Sequence, residues 1–310
     1  MSPTPAVQTG LPFWDREVRV QVGPYNGVGL DIRDLRIDFD VEKTDAAPFS
    51  QGKVTIYGLG ESDVAFIQKF AVLPLQPTGG PFFIPGQVIL WAGYKSQGGA
   101  VQLFTGQIQP ITGVSVDRPD AGGCIVEITA LDSGGAYQQA AVSLAIGGPT
   151  NSTAILGTLA ASLGLPLGPT SPSLPTVAFP RGFSLVGPTR VAMDQVCRDI
   201  GATWAIRDGL IVVTEQGHGT QEIAPFVSPD HGLIGSIKRL EGGRRVGFRS
   251  LFNPALTVRR QAKVKDAFIE GAFVLQKVRH HGGNYIEDFT TECEGFSSQW
   301  GAFYGAAGGP

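Results

Sequence analysis

The sequence predicts a mainly β protein with a small α+β insertion between two β-rich segments. Three observations lead there. Glycine and proline fill 43 and 22 of the 310 positions, a density that cuts a chain into short elements joined by tight turns. Several runs alternate polar and apolar residues with the period of two that marks a half-buried strand. Helical periodicity is confined to three short stretches, two of them in the middle of the chain.

Glu17 to Val22 alternate as E-V-R-V-Q-V, and Gly23 to Gly29 is turn material. Ile32 to Val41 reads as one strand with Leu35, Ile37, Phe39 and Val41 on one face and Arg36, Asp38 and Asp40 on the other. Lys53 to Tyr57 is another. A short helix follows, with Ser62 as N-cap, Asp63 in the first turn and Val64, Phe66, Ile67 and Phe70 as its stripe. After a Pro/Gly loop at Pro74 to Gly80, strands are expected over Gln87–Ala92, Val101–Ile108 and Gly123–Leu131. Six strands around one small helix make a barrel or sandwich.

The pattern changes after Asp132. Asn151 or Ser152 caps a helix whose Ile155, Leu156, Leu159 and Leu163 share a face, and Gly164 ends it. Pro166 to Pro180 reads as a long loop. Pro188 opens a second helix at its first turn, lined by Val191, Val196 and Ile200. Thr203–Ile206 and Leu210–Val213 flank Asp208-Gly209, a strong hairpin signal. From Pro225 strands return at Leu233–Leu240, Arg244–Leu251, Gln261–Val264, Gly271–Arg279 and Glu287–Cys293, with Gly282-Gly283-Asn284 as a turn. These segments either form a second β domain or add strands to the first. The expected division is 1–135, first β-barrel domain; 136–222, α+β middle domain; and 223–310, second β-barrel domain with a flexible tail from Gly301.

Hydrophobic residues make up 42% and charged residues 16%, and the net charge is −3. Between Ser236 and His281, eleven basic residues face three acidic ones, a surplus of eight, which leaves the rest of the chain at −11. Such polarity suits a subunit that meets different partners on its two sides. The expected partner interface is Arg244, Arg245, Arg259, Arg260, Lys263 and Lys265. The alternative is that these side chains only solvate strand faces. Nucleic acid is a weaker partner for them than protein, because the chain as a whole is acidic. Cys124, Cys197 and Cys293 are odd in number and far apart, as expected of buried reduced thiols. The first ten residues lack the pattern of a secretory signal, and no apolar run approaches the ~20 residues of a spanning helix.

No motif for chemistry emerges. A G-x-S-x-G elbow is missing, and the four histidines, His218, His231, His280 and His281, have no accompanying nucleophile motif. His280 and His281 are neighbours on a strand and point to opposite faces, so they do not readily share a metal with Cys293. The pairs Asp38/Asp40 and Glu292/Glu294 lie on strand faces without an aromatic sugar platform. Gly147-Gly148-Pro149-Thr150 lacks the lysine of a phosphate loop. No catalytic residue, metal or cofactor is expected.

The order of the pieces resembles the baseplate hub proteins of contractile-tailed bacteriophages. The likeness rests on Gly52-Lys53-Val54-Thr55-Ile56-Tyr57-Gly58-Leu59 followed by a short helix, and on Val88-Ile89-Leu90-Trp91-Ala92-Gly93-Tyr94 followed by Leu103-Phe104-Thr105-Gly106-Gln107-Ile108. Thr129-Ala130-Leu131-Asp132, Trp204 with the Asp208-Gly209 hairpin, Phe252-Asn253-Pro254 and Val278 to Asn284 fit the same order. Gly58 stands where the hub pattern usually has Asn. The likeness spans Val18 to Glu294.

The resemblance implies two tail-tube-like β-barrel domains per chain and a non-enzymatic virion protein, assembled in the host cytoplasm. It implies a homotrimer whose six barrels form a pseudo-hexameric ring between a six-fold tail tube and a three-fold central spike. Implied partners are the tail tube or distal tail protein, the spike, and the tape-measure protein and DNA passing through the lumen, with no membrane. A distal tail or tube-adaptor subunit and a carbohydrate-binding β-sandwich adhesin are the alternatives. The adhesin would cluster exposed aromatics, whereas Trp14, Trp91, Trp204 and Trp300 are scattered.

Overall fold

A computed structural model describes residues 15–24, 27–45, 50–70, 86–109, 112–119, 123–132, 140–215, 217–240, 245–286 and 288–297. The expectations for Trp14, Trp300, Arg244, the Pro74–Gly80 loop and the C-terminal tail fall outside them. The fold is mainly β, with its helices short.

The first β unit comprises β1 (Arg16–Pro24), β2 (Leu30–Ile32), β3 (Arg36–Thr44), β4 (Gln51–Leu59), α1 (Glu61–Gln68), β5 (Gly86–Tyr94), β6 (Gly99–Ile108), β7 (Val114–Asp117) and β8 (Cys124–Leu131). The period of two does what the sequence asks of it. Val18, Val20 and Val22, then Ile37, Phe39 and Val41, then Val54 and Ile56, all enter one core. Fully burying each such side chain contributes roughly 1.5–3 kcal/mol. Phe104 lies against Gly52 and Gly106, where an added Cβ would come within 2.6 Å of its ring. Only glycine fits beside that ring.

Three local expectations are corrected. Ile32–Val41 is two strands, because Arg33 to Leu35 turn the chain between β2 and β3. Helix α1 starts after Gly60, not Ser62, and no side chain caps it. The edge strand β7 was not expected; four residues of weak alternation carry too little signal for it.

The middle unit holds β9 (Ala141–Ile146), β10 (Thr150–Asn151), α2 (Ser152–Leu163), β11 (Leu167–Thr170), β12 (Ala178–Phe179), β13 (Phe183–Pro188), α3 (Thr189–Asp199), β14 (Ala202–Arg207) and β15 (Leu210–Glu215). Asn151 caps α2, its side-chain oxygen accepting from the Ala154 amide at 2.9 Å, and Gly164 closes it in the left-handed conformation. Pro188 is the N-cap of α3, so the helix begins at Thr189, one residue later than expected, and Val191 faces solvent while Ala192, Met193, Val196 and Cys197 face the core. The Asp208-Gly209 turn forms as read, with φ of 53° and 79°. The expected loop at Pro166–Pro180 contains β11, which pairs parallel with β15, and β12. Such non-local pairing leaves no periodic trace.

The third unit is β16 (Phe226–Val227), β17 (Leu233–Leu240), β18 (Arg245–Leu251), β19 (Gln261–Lys265), β20 (Glu270–Gly283) and β21 (Phe289–Ser297). Gly282 and Gly283, expected as a turn, belong to β20. Its 14 residues span about 45 Å at 3.3 Å per residue. The first part of β20 pairs with β19, and Lys277 to Gly283 pair instead with β3 of the first unit. Both parts pair with β21 on the other side. One strand therefore joins the two β units into a continuous sheet in the order β17-β18-β21-β20-β3-β4-β8-β6-β5-β1-β2. Separate hydrophobic cores lie under the first, middle and third units, and Phe252 and Phe289 from the third enter the core of the first.

Candidate assembly interface

The basic segment of the sequence lands on β17 to β20, and Arg249, Lys265, Lys277 and Arg279 of it pair with carboxylates of the chain. Across the outer face of the joined sheet, Arg249, Glu292, Arg279 and Glu42 occupy register-matched positions of alternating sign on β18, β21, β20 and β3. The Arg279 guanidinium grips Asp40 at 2.8 and 2.5 Å, and Lys277 reaches Glu42 at 3.2 Å. Lys53 pairs with Glu127 at 2.8 Å one strand further on. Hydrogen bonding from Arg279 holds the Asp40 carboxyl below the usual carboxylate range. The acidic face of β3 is thus the partner of the basic face of β20. Charge that is polarised along the sequence is interleaved in space.

Arg259 has an inward role. It is 6% exposed and sits at a φ of 61°. Its guanidinium donates to the Thr203 hydroxyl at 2.5 Å, the Thr214 hydroxyl at 2.8 Å and the Trp204 carbonyl at 3.3 Å, all in the middle unit. Arg207 returns the grip, donating to Glu222 at 2.8 Å and to the Val258 carbonyl at 3.3 Å. Lys43, 2% exposed on β3, holds both carboxylate oxygens of Asp208 at 2.7 and 2.9 Å. Asp132 accepts from the Asp208 and Gly209 amides. The β14–β15 hairpin is clasped by both β units.

Of the expected interface residues, Arg259 is therefore occupied inside the chain. Arg260 lies close by, half-buried, donating to the carbonyls of Ile223 and Ala255. Arg245 is half-buried and donates to Gln276. Lys265 is exposed and pairs with Glu270 at 2.8 Å. Lys263 is exposed with no partner among the described residues, as are Lys238 and Arg239 on β17. Phe226 lies opposite Lys263 in register and is 43% exposed, and Phe268 at the β19–β20 turn is 85% exposed. Asp266 ties this turn to β17 by accepting from the Ile237 amide at 2.9 Å. This bond sets the β19–β20 turn, with Phe268, next to β17, which carries Lys238 and Arg239. Sequence reasoning missed Lys238, Arg239 and the two phenylalanines, whose exposure depends on which strands have neighbours.

The thiols Cys124, Cys197 and Cys293 are buried and unpaired, and burial pushes that of Cys197 up to about 12. His280 faces the core and His281 does not share its surroundings. No group of three or more His, Cys, Asp or Glu that could hold a metal occurs among the described residues. No helix among them is long and apolar enough to cross a membrane. Trp91 lies beneath the Arg19 guanidinium, and Trp204 donates to Asp194.

No protein-family model matches the chain, and no curated protein matches it in sequence. Its fold is that of known tail proteins. A 43 kDa tail protein of prophage MuSo2 from Shewanella oneidensis superposes with a TM-score of 0.54 at 7% identity, covering 91% of this chain and 98% of that one. A tail protein from Neisseria meningitidis MC58 gives 0.56 at 12% identity, covering 92% and 97%. A type VI secretion system component from E. coli, described as structurally similar to the T4 bacteriophage tail proteins gp27 and gp5, gives 0.53 at 8%, covering 89% and 76%. The mainly β fold read from the sequence and the fold of these tail proteins agree.

Proposed function

We propose that this chain is a structural protein of a phage tail baseplate, acting as a trimeric hub between the tail tube and the central spike. The observation that carries this reading is the whole-chain match in fold to two tail proteins, one of them from a prophage, over nearly all of each chain. The units 1–135, 136–222 and 223–310 would each stand on one of the hydrophobic cores. Three copies would bring six β units into a ring whose lumen passes DNA and the tape-measure protein. A long strand shared between two β units supports this role, because it fixes their relative placement before any ring closes. The work proposed is mechanical, by shape and symmetry, with no catalytic step, and its place is the virion.

The rim of the third unit is the proposed contact with a neighbouring tail protein. It would comprise Lys263, Lys238 and Arg239, with Arg245 and Lys265. A neighbour offering carboxylates and an apolar seat for Phe226 and Phe268 would fit it. The test is co-purification of the tail partners with the variant K238E/R239E/K263E. Loss of one partner from a variant that keeps its circular dichroism supports the contact, and unchanged co-purification removes it.

A further inference from the structure

We propose that the outer face of the β9–β13 ribbon is a self-contact, at which the middle units of three copies meet one another about the symmetry axis of the trimer. The inference rests on the trimeric reading above and adds to it one surface on which the copies touch.

The ribbon is an isolated pair. β9 and β13 run antiparallel in unbroken register from Phe183 opposite Ile146 to Pro188 opposite Ala141, and neither pairs with a further strand among the described residues. Alternation gives the ribbon two faces. Val142 and Phe183 are buried in the core of the middle unit, and Leu144, Ile146 and Leu185 pack against it. The opposite face consists of three register-matched pairs, Ala145 with Ser184, Ser143 with Val186 and Ala141 with Pro188. All six residues are exposed, Val186 by 81%.

A sheet with one face on a core ordinarily turns polar side chains to water. The joined sheet does so with charge, lining its outer face with Arg249, Glu292, Arg279 and Glu42. The outer face of the ribbon carries no charge. Nor does most of the segment around it: residues 140–189 hold one charged side chain, Arg181, where the chain-wide 16% would supply about eight. Arg181 lies in the turn between β12 and β13, beyond the face. Depletion of charge marks the buried centre of a protein interface.

Charge also decides what covers this face. A carboxylate or ammonium seated on it would lose water and gain no counter-ion. The β units of a second copy are poor partners for that reason, because ion pairs such as Lys53 with Glu127 and Arg279 with Asp40 occupy their outer faces. The uncharged segment of another copy does match, and within it the ribbon presents Val186 and Pro188 as apolar contacts. About a threefold axis each side chain meets its own equivalents, so any charge there would be set against like charge. An uncharged face suits that position. Two strands of six residues make a face of about 20 by 10 Å. That is roughly a quarter of the ~800 Å² that each partner buries in a stable complex. The ribbons would supply one part of the trimer contact and the β units the remainder. Lying across the axis, so small a contact suits a closure that parts when DNA passes.

The test uses the full chain under conditions in which the native protein is trimeric, alone or with its tail neighbours present. V186C is treated with a short bismaleimide. The chain's own three thiols are buried, and burial raises those of Cys197 and Cys293, so they stay unreactive. V186C should give covalent dimers, two copies of each trimer being joined. F268C, exposed on the third unit, should give none. A trimeric V186C that yields no dimer, dimers in equal amount from F268C, or a cross-link to a tail neighbour instead of a second copy would overturn the proposal. In V186E and V186K alike, the concentration for half-assembly should rise at least about tenfold, and mixing the two variants should recover part of the loss. No change in either variant, or loss with one sign of charge only, would also overturn it. A native chain that never forms trimers removes the trimeric reading and this proposal together. A trimeric native chain whose V186C variant fails to cross-link removes this proposal alone.

Discussion

At the residue scale, the molecule distinguishes cations that hold it together from cations that are free. Arg259 and Lys263 belong to the same basic run of sequence, yet one is a buried tie and the other an exposed rim residue. Replacing Arg259 with Ala would strip its hydrogen bonds from Thr203, Thr214 and Trp204, and should lower stability by about 2–4 kcal/mol. A urea titration reads this as a shifted midpoint. Lys263→Glu should change stability by no more than ~0.5 kcal/mol. Charge reversal of the whole basic run would therefore confound assembly with folding, which is why the partner test avoids Arg259. His280 makes a second residue-scale prediction. Its folded pKa lies well below the ordinary 6.5, so the unfolded chain takes the proton first. Its contribution to stability is complete above about pH 6.5 and is lost as pH falls below that value. The raised Asp45 acts in the opposite sense at lower pH, since its protonation relieves the cost of a buried carboxylate. Unfolding midpoints measured from pH 7.5 to 5 should drop in the native chain and stay level in H280Q.

At the scale of elements, β20 is the decisive strand. Gly283 ends its pairing with β3, and an added Cβ there would meet the Asp38 carboxylate at 2.5 Å and the Ile37 carbonyl at 2.6 Å. Gly283→Ala should cost roughly 1–3 kcal/mol, with exchange protection lost first along β3 and the end of β20. If β3 stayed as protected as in the native chain, the two β units would not depend on that pairing. The elements also show what the sequence made legible. Alternation located β1, β4, β5, β6 and β8, and Asn151, Gly164 and Asp208-Gly209 marked the ends of α2 and the hairpin through local chemistry. The short strands β11 and β12 escaped notice because distant partners define them, and β7 because four residues of alternation carry too little signal. The extension of β20 through Gly282 and Gly283 was hidden for a physical reason. Those glycines are there for close approach to β3 and Phe289, and in sequence they look like a turn.

At the scale of the whole molecule, the candidate interface was only partly legible. The sequence showed a basic block, but the acidic strand that pairs with Lys277 and Arg279 is more than 200 residues away along the chain. Only the fold separates the paired cations from Lys238, Arg239 and Lys263. The same fold presents two β units in fixed relation with a clasped middle unit, a rigid building block suited to ring assembly. The most direct measurement is the mass of the purified protein by light scattering, alone and with its tail neighbours, with electron micrographs of the same peak. The account predicts three copies of the 32.7 kDa chain in a ring of six β units around a central hole. A chain that remains monomeric with tube and spike proteins present would contradict it.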